Sequence, residues 1–155
     1  MRVRAGGSVE RVNLAGGGFP AATPPPSMSG MHALSQVFAL IAAAVHLFVW
    51  PLESFLYSRH AWVREFLTGS SADAPEVRLW RFNVGFYNLF LALGMIAGFV
   101  ALHLDHETVG RTLILYLSAF MIGGGIMLAV SDPRLWRGAV GQAAPGVVIL
   151  LTELL

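Results

Sequence analysis

The chain has 155 residues, of which 55% are hydrophobic and only 12% charged, with a formal net charge of +1. That charged share is about half the usual figure for a soluble domain, and a soluble core of this size could not hide so much apolar surface, so lipid is the natural solvent for the rest. Without cysteine, disulfides, thiol catalysis and cysteine-ligated metals are excluded. The arginines are scattered and form no basic patch, which excludes a nucleic-acid partner.

Residues 1–30 carry six of the seventeen glycines and four of the eight prolines, including "GGGFPAATPPPSMSG". Such a stretch reads as a disordered extension rather than a packed element. No apolar run follows Arg2 and Arg4, so a signal peptide does not fit, and Met28 or Met31 is the expected true start.

From residue 31 onward the pattern predicts an all-α membrane domain of four spans, at about 34–57, 80–104, 111–130 and 136–155. Each stretch is apolar all round, as a span is and a surface helix is not. The fourth, with Gly138, Gly141, Gln142 and Pro145, is the most interrupted. Short connections would join the four as an antiparallel up-and-down bundle. The loop after the first span holds Arg59, Arg64, Arg78 and Arg81, and the loop after the third holds Arg134 and Arg137. The other side has Arg111, joined by Arg2, Arg4 and Arg11 if the extension is counted. The positive-inside rule therefore puts both arginine-bearing loops in the cytoplasm and both termini outside. All ten basic residues are arginine, which with the Ala/Gly bias suggests a bacterial genome and hence the bacterial plasma membrane, with membrane lipids as partners.

The chemistry-bearing residues gather within these spans. His46 and Glu53, seven apart, share one helix face at about 20° in angle and about 10.5 Å in rise, with Trp50 on the intervening turn. Pro51 cannot donate to the Leu47 carbonyl and favours a kink. Asn83, Tyr87 and Asn88 enter from the same side on the second span, and Gln142 on the fourth. Their common depth, between the midplane and the cytoplasmic face, predicts a polar cleft open to the cytoplasm. Glu53 alternatively reaches headgroups or pairs with Arg59 or Arg81. His46 alone reads as a core histidine bonded to a backbone carbonyl, and Asn83, Asn88 and Gln142 as interhelical glue.

In the outer loop "HLDHET", His103 and His106 have a spacing that zinc tolerates, but without a third ligand they read as a solvated turn. No cofactor motif is present: the glycine runs lack a phosphate-loop context, and there is no nucleophile elbow.

"HLFVWPLESFLY" followed by Trp62 and Phe66, then "NVGFYNLFLALG", then "GQAAPGVVILL", together resemble the small bacterial membrane family known as domain of unknown function 1304. The resemblance spans about residues 32–155 and matches that family at His46 and Glu53, at Asn83, Gly85, Tyr87 and Asn88, and at Gly141, Gln142 and Pro145. Val84 stands where a Gln is common. The resemblance implies a four-helix membrane fold and supplies no activity.

Three functions are compatible with these residues. The leading expectation is a non-enzymatic protein holding a small amphipathic molecule or a proton in the cleft. An intramembrane acid/base enzyme, with Glu53 and His46 moving a proton on a lipid-like substrate, is the second. A purely structural role is the third.

Overall fold

The computed structural model describes residues 30–155, so the Gly/Pro-rich extension lies outside the described residues. Helix α1 (Ala33–Pro51) continues through a π-helical turn (Leu52–Leu56); α2 (Ala61–Thr68) and a 3-10 turn (Pro75–Val77) lead into α3 (Arg78–His103). Then come α4 (Glu107–Ser131), a second 3-10 turn (Pro133–Leu135) and α5 (Trp136–Leu154).

Three helical stretches are long and apolar enough to cross a membrane, namely Ala33–Leu56, Pro75–His103 and Glu107–Ser131. They coincide with the first three predicted spans, extended by a few residues where polar ends continue the helices. α5 is as long as α1, at 19 residues. However, Arg137, Gln142 and Glu153 dilute its apolar character, and it is not one of the three.

The connection from the first to the second span, expected as a loop, contains the helix α2. This helix buries Val63, leaves Trp62 and Phe66 exposed, and ends at Gly69, whose positive φ of 68° a side chain would resist. Phe66 meets Phe48 of α1 edge-on, with ring centroids 6.3 Å apart.

α1 packs against α3 and α5, and α4 packs against the same two helices. The residues turned inward are mostly small or flexible: Ala39, Ala42 and Ala43 of α1, Ala92 and Met95 of α3, Ile114 and Met121 of α4, and Ile149 of α5. Large apolar side chains such as Phe90, Tyr116, Phe120 and Met127 point outward. Water would not tolerate so much exposed apolar surface, whereas hydrocarbon does, and helices in hydrocarbon associate through close contact of small residues. The α3/α4 seam illustrates this, since a Cβ on Gly110 would stand 2.6 Å from the Gly98 carbonyl oxygen. On the α4/α5 seam a Cβ on Gly146 would stand 2.7 Å from the Ser118 carbonyl oxygen.

Candidate functional site

Pro51 lacks the N–H that would bond the Leu47 carbonyl, and the helix widens directly after it into the π turn that carries Glu53. On the facing helix, Arg81, Gly85 and Asn88 recur at spacings of four and three and so form one stripe. Gly85 lets the α3 backbone lie directly on the turn from Trp50 to Ser54, where a Cβ would stand 2.9 Å from the Trp50 carbonyl oxygen.

The two flanking members of the stripe hold the carboxylate from either side. Glu53 Oε1 accepts from Arg81 Nη1 at 3.1 Å, and Oε2 accepts from Asn88 Nδ2 at 2.8 Å. Glu53 is buried, so the single guanidinium and the amide offset the cost of taking its charge out of water. The Arg81 guanidinium also covers the Tyr57 ring, 4.9 Å from its centroid. The Ser54 hydroxyl donates across the seam to the Phe82 carbonyl at 3.2 Å.

Beside this clamp lies an open cleft of about 280 Å³. One wall is Glu53, Ser54, Tyr57 and Ser58; the other is the first turn of α3, with Arg78, Leu79, Arg81 and Phe82. Arg78 is ion-paired with Asp73. Behind the wall, Trp50 packs edge-on against Phe55 and Phe86, at 6.1 and 5.9 Å. Its buried indole N–H has no acceptor among the described residues.

Of the residues singled out from the sequence, Glu53, Trp50 and Asn88 lie together here. The others do not join them. His46 is buried at 2% exposure and its Nδ1–H donates to the Ala42 carbonyl of its own helix at 2.9 Å, sharing no hydrogen bond with Glu53. Asn83 is exposed and bonds back to the Leu79 carbonyl at 3.0 Å. Tyr87, 62% exposed, points off the bundle. These two share the face of α3 opposite the stripe that meets α1. Gln142 lies in the α4/α5 seam, its Nε2 donating to the Met121 carbonyl at 3.4 Å in space left by Gly124. Arg81, one of the two alternative partners considered for Glu53, supplies the counter-charge; its spacing to Gly85 and Asn88 is the signal that places it on the same stripe.

A second group of polar residues lies at the opposite end of the molecule from the Glu53 clamp. There the Glu153 side chain is fully buried; Oε1 accepts from the His32 backbone N–H at 2.9 Å. Arg111 Nη2 stands 3.2 Å from Oε2, an ion pair without hydrogen-bond alignment. A second cavity of about 230 Å³ opens at that end, lined in part by Gln36, His103, Asp105 and Glu107. His103 stacks on Phe99 at 4.4 Å and its Nδ1–H donates to the Phe99 carbonyl at 2.9 Å. Among the described residues no group of three or more His, Asp and Glu is placed to hold a metal ion.

Comparison with characterised proteins and with solved structures gave no match. A protein-family model does match, over residues 40–154, and its description is "Protein of unknown function (DUF1304)". That span takes in both the Glu53 clamp and the α4/α5 seam, and the chain belongs to the DUF1304 family.

Proposed function

We propose that this chain is a four-span antiparallel helical protein of the bacterial plasma membrane, with both termini outside, whose cytoplasm-facing cleft holds a small amphipathic molecule. The observation that carries the reading is the placement of the Glu53 clamp in the wall of an open cleft. Gln142 bonds within the α4/α5 seam, whereas here charged and aromatic surfaces share one opening of about 280 Å³. The arginine-rich loops support the orientation.

Binding is favoured over acid/base catalysis by the hydrogen bonds. Both Glu53 oxygens are engaged by α3, and the His46 Nδ1–H is given to Ala42, so the two share no hydrogen bond among the described residues. Native mass spectrometry of the detergent-purified chain tests the reading, with Glu53→Gln and the cleft-filling Ser58→Trp beside the wild type. The expected result is a retained small-molecule mass that Ser58→Trp loses and that Glu53→Gln keeps, because the carboxylate is already held by Arg81 and Asn88. An unliganded wild type, or a mass that Ser58→Trp retains, overturns it.

A further inference from the structure

The hydrogen-bonding capacity left over in the cleft identifies what it takes. Its one wall carboxylate, Glu53, already accepts on both oxygens, and the single donor of the Ser54 hydroxyl is given to Phe82. The guanidiniums are not spent. Each carries five N–H groups. Arg81 gives Nη1 to Glu53 and Arg78 gives Nη2 to Asp73, and their remaining N–H groups have no acceptor among the described residues.

The two arginines are three apart on the first turn of α3, so they stand on neighbouring positions of one helix face. Both line the cleft. The positive end of the α3 dipole adds to their field. A surplus of planar, forked donors fits an oxyanion, and phosphate accepts such forks two bonds at a time. Next to the arginines, Leu79 and Phe82 are exposed apolar residues at the rim, continuous with the outward face of α3 that carries Phe90 and Leu93. An apolar tail laid along that face would put a charged head in the cleft.

We propose that the cleft binds the phosphate group of an anionic amphiphile, with Arg78 and Arg81 as the residues that read it and Leu79 and Phe82 as the seat of the chain. This rests on the reading of the cleft as a ligand site and names the ligand class. A lipid headgroup and a soluble phosphate ester share the chemistry, and the experiment separates them.

The delipidated full-length chain is titrated in native mass spectrometry with phosphatidylglycerol, with diacylglycerol of the same acyl chains, which lacks the phosphate, and with glycerol 3-phosphate. Wild type, Arg78→Gln and Ser58→Trp are compared. Arg78 is half exposed, so its neutral variant keeps the fold. Phosphatidylglycerol is expected to bind about tenfold tighter than diacylglycerol, the worth of one charge-assisted hydrogen bond to the anion. Arg78→Gln should remove that preference without weakening diacylglycerol, and Ser58→Trp should abolish both. Glycerol 3-phosphate binding as tightly as the lipid, and lost in Arg78→Gln, keeps the phosphate site and assigns it to a soluble ester. Equal binding of the two lipids, both lost in Ser58→Trp, overturns the phosphate assignment and leaves the cleft as a ligand site. Lipid binding that Ser58→Trp does not change overturns both.

Discussion

Gly85 of α3 and Ser54 of the π turn meet with no room between them for a side chain: a Cβ on Gly85 would press on the Ser54 hydroxyl and stand 3.0 Å from its backbone nitrogen. This contact sets the distance at which Arg81 and Asn88 reach Glu53. Gly85→Ala should therefore push α3 away from α1 and destabilise the protein by about 1–3 kcal/mol, the usual cost of overpacking. Gly123→Ala is the control, because a Cβ there meets nothing within 4 Å and should stabilise by about 0.5–1 kcal/mol through helix propensity. Thermal unfolding in detergent distinguishes them; equal melting temperatures would show that the seam is looser than described.

Removing Arg81 leaves the Glu53 carboxylate buried without its counter-charge. Arg81→Leu should cost about 3–5 kcal/mol. Neutralising both, as Glu53→Gln with Arg81→Gln, should cost much less than the two single changes added together. A double-mutant cycle on unfolding free energy measures the coupling, and additive effects would mean that the ion pair contributes nothing.

The first three spans were legible because an all-round apolar stretch of about 20 residues has few soluble alternatives. α2 was not, since its eight residues bury only Val63 and leave little pattern to read. For the site, the sequence determines which residues share a helix face but not which face meets which neighbour. Asn83 and Tyr87 form as coherent a pair as Arg81 and Asn88, and only the close approach at Gly85 decides that the latter face α1. The surroundings of Glu153 are not legible for a related reason: nothing in the local sequence connects it with Arg111 or His32, which the fold brings to it from α4 and from the residue that precedes α1.

His46 should behave as a packing residue. Among the described residues its ring bonds only within α1, so His46→Leu, which roughly conserves volume, should alter stability by under about 1.5 kcal/mol. The variant should retain whatever the cleft holds. Loss of bound ligand in His46→Leu, with unchanged stability, would place the imidazole in the site after all.

Asp132 provides a test by pH at the start of the second 3-10 turn. It accepts from the Arg134 backbone N–H at 3.0 Å and from its guanidinium at 2.7 Å, and these bonds hold its carboxyl below the usual aspartate range. Because the folded value is the lower one, the cap's contribution is present above the ordinary carboxylate range and is lost as pH falls through the depressed value. Carboxyl carbon NMR should show Asp132 titrating below an ordinary aspartate, and Arg134→Gln should raise its midpoint. An unchanged midpoint in the variant would mean that the bonds do not form in solution.

α5 is less apolar than its neighbours, yet its contacts track α4 from one end to the other. Gln142 reaches Met121, Gly146 lies on Ser118, and Glu153 pairs with Arg111. If α4 crosses the bilayer, α5 must cross beside it, its polar groups satisfied within the seam rather than by lipid. The chain has no cysteine, so single cysteines report sidedness without background. His106→Cys and Leu155→Cys should both react with an impermeant maleimide on intact spheroplasts, whereas Ser70→Cys should react only after permeabilisation. Labelling of Leu155→Cys together with Ser70→Cys, and apart from His106→Cys, would show that α5 does not cross and that the ion pair of Glu153 with Arg111 does not form in the membrane.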